Sequence, residues 1–465
     1  MLHPFFTSAY AQTGTWSDEQ IEQLKKTVVN IEVSVETAFG KEEAGRYIGT
    51  GFVVDKKLGI IGTNQHVTGI SPISLAKAKF VDGSKVKINM LYYDPWHDVA
   101  FFKYNPEEAS FSPEEVVFGK FSTVQLNDPV LLIGNPEGAN HTVLDGKITN
   151  LFSNSASNTM GRYSHQIQSS INGAGGSSGS PVWDQNGLVI GLHNSGNEAS
   201  SSHLRIDYMT ILLDALKKGK IPQRGDTFIV FNTIEVSEAI DQYGFDMSLV
   251  DWSKVDALYR KELMMITGIV PGISEDVETN TLLISINDTY IGSNIFLFDQ
   301  IVNQSIGKTV TLGILKRTID GLEKQEVEVR VFDAEEYRIK EYLYWENTVF
   351  HNMPPHLAII FQANLDQVFA SQTQPTSSLT RNFYNFGDDK NRLYVIIQSI
   401  FDAPMSNVRD MYSFITAHPM QYYPFGFRDC QGYRCESKTN IRSTSTIPQM
   451  FVWDDNTLTW KAEEY

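Results

Sequence analysis

The stretch GAGGSSGSPV, Gly173 to Val182, decides how the chain is read. Three serines, Ser177, Ser178 and Ser180, sit among glycines, and the run stops at Pro181. Glycine lets a backbone turn sharply and approach its neighbours closely. The stretch is therefore either a soft serine-glycine loop or a turn that aims successive N–H groups into one small hole. A serine hydroxyl is a poor nucleophile at neutral pH and needs an adjacent base. The reading then depends on where that base comes from.

Two upstream segments supply candidates. IGTNQHVTG places His66 just after a strand expected over Gly51 to Ile61. YYDPWHDVAFFKY places Asp98 at the entry of the next. Alone, each is ordinary: a histidine beside a strand, an aspartate in a turn. In the order His, Asp, Ser across a mostly β region they fit one chemistry. His66 can take the serine proton and return it to a leaving amine. Asp98 would hold the imidazole tautomer and stabilise its cation. Backbone N–H groups of Gly176 and Ser178 would face the oxyanion, where one donor is worth about 2.7–4 kcal/mol of barrier. His97, next to Asp98, alternates to the opposite face of an extended chain.

The rest of the chain sets the frame. Its 465 residues carry 38 Lys plus Arg against 55 Asp plus Glu, a net charge of −17. That argues against a nucleic-acid partner, which needs a basic face. No apolar run reaches the roughly 20 residues that cross a bilayer, so no integral membrane segment is expected. MLHPFFTSAYAQTG lacks a basic start, yet AYA before Gln12 has the small-x-small pattern of a signal-peptidase site. A clipped export signal and an ordinary tail both fit it. The two cysteines, Cys430 and Cys435, flank a Gly-containing turn and read as a local disulfide or as two free thiols. Two cysteines do not make a four-ligand zinc site. Both hints lean towards a periplasmic or otherwise exported location.

Short apolar runs with Gly, Asn, Asp and Pro punctuation recur from Thr27 to Tyr208 and indicate a barrel or sandwich. TWSDEQIEQLKKT ahead of them is a short helix that Ser17 or Asp18 can cap. At YMTILLDALKKGKIPQRG the period becomes helical, with Ile211, Leu212, Ala215 and Leu216 on one face. Pro222 and Gly225 mark a boundary. Beyond it the pattern is mixed α/β: TLLISINDTYI and NIFLFDQIVNQS read as strand, turn, strand and helix. RLYVIIQSIFDAPMSNVRDMYSFITAH repeats that plan. The expected units are an N-terminal segment 1–26, a protease-like domain 27–225, and two α+β units, 226–333 and 334–465.

Taken together, TNQHV, DPWHDVAFFKY, LLIGNPEG with LDGKITNL, GGSSGSPV and GLVIGLH resemble, in order, the motifs of the HtrA/Deg family of trypsin-like serine proteases. HDVAFFKYNP and GGSSGSPV look closest to fungal nuclear HtrA-like proteases and their bacterial relatives. The resemblance implies a mainly β chain: a trypsin-like double β-barrel followed by two PDZ-like domains, the second divergent. The fungal proteins duplicate the protease–PDZ unit, whereas only one protease copy is seen here.

The resemblance also chooses among the serines. Laid on the family pattern, Gly176-Ser177-Ser178-Gly179-Ser180-Pro181 makes Ser178 the nucleophile. The approach INGAGG is longer than the family's usual one, which puts the oxyanion loop's resting shape in question. Asn172, six residues before Ser178, replaces the aspartate that selects Lys or Arg. His193, Asn194 and Ser195 fall on the strand that lines the primary specificity pocket, and small aliphatic residues are the expected preference. MMITGIVPG (264–272) reads as the peptide-binding strand of the first PDZ-like unit or as ordinary core. The implied activity is endoproteolysis of unfolded or damaged proteins and peptides, with no cofactor and no metal, in a homo-oligomer. A chaperone or scaffold with little proteolysis is the alternative.

Overall fold

In this computed structural model the described residues are 16–463, except 38, 41, 70, 72–73, 154–163, 198, 275, 320, 372–394, 430–435 and 444–445. The expectations for the AYA site and for the Cys430–Cys435 pair lie outside them.

Thirteen strands build the first half. They are β1 (Val28–Val35), β2 (Gly45–Asp55), β3 (Ile60–Thr63), β4 (Ser74–Lys79), β5 (Lys85–Asp94), β6 (Val99–Lys103), β7 (Val117–Phe118), β8 (Pro129–Gly134), β9 (Thr142–Ser153), β10 (Gln166–Ser169), β11 (Pro181–Trp183), β12 (Leu188–Gly196) and β13 (Ser201–Arg205). The first six close a barrel in the order β1-β2-β3-β6-β5-β4. The run β11-β8-β9-β10-β13-β12 closes a second one through the β11–β12 pairing, with β7 added in parallel to β12. The expected single strand Gly51–Ile61 is corrected: residues 56–59 turn between β2 and β3, because Gly59 takes φ +69 there.

Alternation along the strands fills both barrels and the seam between them. On β8, Val130 and Leu132 point into the second barrel while Leu131 and Ile133 join the shared core. On β1, Val29, Ile31 and Val33 fill the first barrel and Val28 faces the seam. Phe52, Tyr92, Phe101, Trp183, Leu192 and Leu204 complete that seam. Two helices cover it. Asp18–Lys25 starts at Ser17, whose side chain accepts from Gln20 N–H while Gln20 returns the bond, a capping box. Asp207–Lys217 buries Tyr208, Met209, Leu212, Leu213 and Leu216. Ile211, expected on that face, is exposed: the buried stripe is turned by about one residue, because Tyr208 and Met209 anchor it.

After residue 224 a sheet runs in the order Ile229–Glu235, Glu262–Ile269, Thr281–Ile286, Thr309–Thr318, Gly321–Arg330, with its own core. A nine-stranded sheet carries the remainder, and strands 422–429, 436–442, 449–454 and 459–462 form its C-terminal part. The repeated plan is visible in both. Thr281–Ile286 turns through Asn287 (φ +46) and Asp288 (φ +59) to a helix capped by Asn294. Val395–Ile400 turns through Phe401 (φ +51) and Asp402 (φ +60) to a helix capped by Asn407.

The third sheet corrects one expectation. Met264, Met265 and Ile266 are paired on both flanks, to Ile229–Glu235 and to Thr281–Ile286, so they offer no free edge. The edge strands of that order are Ile229–Glu235 and Gly321–Arg330. Polar contacts hold the units to the barrels: Arg224 Nη1 donates to Asp94 Oδ2 at 2.6 Å, both side chains buried. The Arg205 guanidinium lies 3.8 Å from the Phe296 ring centre.

Candidate active site

The three sequence-predicted residues arise from different strand ends that the barrel seam gathers. His66 lies in a single helical turn, Gln65–Thr68, directly after β3. Asp98 sits immediately before β6 with φ +57, a left-handed conformation that Asp and Asn tolerate better than most residues. Its carbonyl accepts from Asn64 Nδ2 at 3.0 Å, which fixes the turn against the His66 segment. One carboxylate oxygen accepts the His66 backbone N–H at 2.8 Å, and the other lies 2.6 Å from His66 Nδ1. Asp98 is buried, whereas the His66 side chain is 28% exposed, so the imidazole reaches the surface and its partner does not.

Burial alone would lower the His66 pKa, but the charge and hydrogen bond of Asp98 more than reverse it. The pKa stands above the ordinary 6.5. A neutral imidazole that is part-open and faces a buried carboxylate can accept a proton and be stabilised as its cation.

The serine loop is clamped by residues that no local motif announced. Thr50 of β2 donates its N–H to Ser178 O at 2.9 Å and its hydroxyl to Gly176 O at 2.8 Å. Thr63 Oγ1 donates to Thr50 O. Glu137, held at φ +51 in the turn after β8, donates its N–H to Gly175 O at 2.6 Å. Gly179 has φ +84, and a Cβ there would stand 2.1 Å from Thr50 O, so only glycine fits.

These clamps decide what is presented. Ser177 and Ser180 are buried, and Ser180 Oγ donates to Ser177 O at 2.6 Å. Ser178 alone of the three is part-exposed. The N–H groups of Gly176 and Ser178 have no hydrogen-bond acceptor among the described residues. The long approach INGAGG thus leaves both donors uncommitted. The Ser178 hydroxyl donates to Asn194 O at 3.4 Å, and no hydrogen bond joins it to His66 here.

The pocket residues separate. Asn172 and Ser195 are exposed, and Asn194 lies at the loop with its carbonyl turned to Ser178. His193 points inward: it is 2% exposed, and its Nδ1 lies 3.2 Å from Nδ1 of His203, a residue that sequence reading passed over. Burial first, then the nearby His66 charge, lowers the His193 pKa to about 4. His97 faces away, 2.7 Å from Ser164 Oγ and with its ring tilted against that of Tyr208. Among the described residues, no group of three or more His, Cys, Asp or Glu side chains is placed to hold a metal ion. None of their helices is long and apolar enough to cross a membrane.

Comparison with known proteins bears on the same segment. Residues 49–192 match the family model of the trypsin-like peptidase domain, a span that contains His66, Asp98 and Ser178. The chain is 26% identical over 389 residues to the "Pro-apoptotic serine protease NMA111" of Vanderwaltozyma polyspora, covering 82% of this chain and 39% of that protein. It is 26% identical over 372 residues to a "PDZ domain-containing protein" of Schizosaccharomyces pombe, covering 78% and 36%. The chain therefore spans about two fifths of the length of the curated relatives it matches. Among solved structures, "HtrA-type protease AlgW with decapeptide" aligns with a TM-score of 0.47 and 15% identity, over 68% of this chain and 97% of that one.

Proposed function

We propose that this chain, whose residues 49–192 match the trypsin-like peptidase domain, is a serine endopeptidase of the HtrA type whose nucleophile, base and orienting acid are Ser178, His66 and Asp98. The observation that carries the reading is the pairing of a part-exposed imidazole with a buried carboxylate at 2.6 Å, beside a clamped loop that exposes one serine and two free N–H groups.

The chemistry follows from those atoms. A scissile carbonyl enters the space in front of the N–H groups of Gly176 and Ser178. Ser178 Oγ leaves Asn194 O, turns to His66 Nε2 and attacks the carbonyl carbon while the imidazole takes its proton. The carbonyl oxygen becomes an anion held by the two N–H groups. Asp98 steadies the imidazolium through Nδ1–H. The C–N bond then breaks, and the amine leaves with the proton from His66. Water, deprotonated by the same imidazole, attacks the acyl ester and frees the carboxylate product and Ser178.

Domains 27–225, 226–333 and 334–465 are proposed as the protease and two PDZ-like units; their separate main sheets support this division. A peptide adding as a strand needs an unpaired edge, and Ile229–Glu235 provides one. Unfolded proteins are the proposed substrates and a homo-oligomer the proposed assembly. The test is cleavage of a reduced, denatured protein and of its folded form. Wild type should cut the denatured form, and Ser178→Ala and His66→Ala should not, while Ser177→Ala and Ser180→Ala should. Equal cleavage by Ser178→Ala would defeat the assignment.

A further inference from the structure

Behind the proposed nucleophile lies a buried chain of hydrogen bonds that the mechanism does not use. The Ile171 N–H donates to Ser169 Oγ at 3.2 Å. Ser169 Oγ lies 2.8 Å from His203 Nε2, and His203 Nδ1 lies 3.2 Å from His193 Nδ1. Ser169, His193 and His203 are each at least 98% buried. Burial lowers the pKa of both histidines, so both rings are neutral and each carries one proton.

Proton counting fixes the direction. The Ser169 oxygen already accepts from Ile171, and its own proton has one acceptor within reach among the described residues, His203 Nε2. His203 must then hold its proton on Nδ1 and donate it to His193 Nδ1. His193 is left with its proton on Nε2, and that N–H has no partner among the described residues. The ring is pinned beside the nucleophile by its own backbone: His193 N–H donates to Ser180 O at 2.8 Å, and its carbonyl accepts from Gly179 N–H at 2.9 Å. Across from Nε2 stands Gly173, where a Cβ would come within 2.8 Å of Nε2 and Cε1. The missing side chain at Gly173 leaves the ring edge uncovered.

A donor without a protein acceptor is open to an acceptor that arrives with the substrate. We propose that His193 Nε2–H, held in that tautomer by His203 and Ser169, recognises an acidic side chain on the residue preceding the scissile bond. This rests on Ser178 being the nucleophile. A carboxylate is acceptor-only and suits a lone N–H; a glutamine amide brings two further donors that this chain of bonds has no place for. An aliphatic side chain, the preference implied by resemblance, leaves the N–H unpaired. His203 is a positioning residue here, since it acts through His193.

The test uses activated peptidyl phosphonates of one sequence ending in Glu, Gln, Val or Lys, with labelling rates measured at Ser178. Wild type should label about tenfold or more faster with Glu than with Gln, Val or Lys, the scale of a hydrogen bond to a charged group. In His203→Phe the Glu-to-Val ratio should fall about tenfold while labelling by a small fluorophosphonate persists, and in His193→Phe the ratio should fall likewise. A wild-type ratio at or below one overturns the proposal, as does a ratio that both variants leave unchanged. If either variant loses fluorophosphonate labelling through misfolding, the wild-type ratio decides alone. A wild type that no fluorophosphonate labels would instead defeat the endopeptidase reading, and this proposal with it.

Discussion

Replacing Asp98 with asparagine isolates what the carboxylate does. Asp98 makes two bonds to His66: one oxygen accepts the backbone N–H at 2.8 Å, and the other faces Nδ1 at 2.6 Å. In Asp98→Asn the amide oxygen must stay on the backbone N–H, because the flipped amide would set two donors against each other. The NH2 group then faces Nδ1, which must become the acceptor. The imidazole proton moves to Nε2, the atom that has to receive the Ser178 proton. The base is lost although every heavy atom is in place. Loss of the correct tautomer costs on the order of 10⁴ in kcat, about 5 kcal/mol of barrier. Folding should hold, since asparagine is at home at the φ +57 of this position and the carbonyl bond from Asn64 survives. The assay is kcat/KM on a cleaved peptide alongside a thermal melt. Activity within tenfold of wild type, at an unchanged melting temperature, would refute the reasoning.

Three further outcomes follow from the same contacts. Catalysis needs neutral His66, and Asp98 holds its pKa above the ordinary 6.5; kcat/KM should therefore rise with pH through a midpoint above 6.5, and a midpoint below it would contradict the pairing. Gly179→Ala forces a side chain into a φ of +84 and against Thr50 O at 2.1 Å. The left-handed backbone alone costs about 1–2 kcal/mol, so both melting temperature and fluorophosphonate labelling should drop; wild-type labelling would show that the loop is not clamped. Arg224→Met leaves the Asp94 carboxylate buried without its guanidinium, a loss of about 3–5 kcal/mol to be read by urea unfolding; a change below about 1 kcal/mol would mean that water reaches Asp94.

Much of the first half was legible because its signals are local. Alternation gave the strands, Ser17 or Asp18 the start of the first helix, and Gly-Ser-Ser-Gly-Ser-Pro the turn. The clamps were not legible, because Thr50, Asn64 and Glu137 bond to backbone carbonyls far away in the chain, and such bonds leave no trace in a motif. Burial separates the three serines in the structure, whereas the sequence needed a family pattern to do so. His203 was missed for a related reason: its partner His193 lies ten positions away on the neighbouring strand, and only the β12–β13 register sets the two rings together. The free edge of the third sheet was misplaced because Glu262–Ile269 and Ile229–Glu235 are both short apolar runs, and strand order alone tells centre from edge.

The central claim is that Ser178, and neither neighbouring serine, attacks the carbonyl. Mapping a fluorophosphonate adduct by mass spectrometry tests it most directly. The adduct should sit on Ser178, and labelling carried out at low pH, where His66 is protonated, should not form it. An adduct on Ser177 or Ser180, or none on the folded wild-type chain at neutral pH, would contradict it.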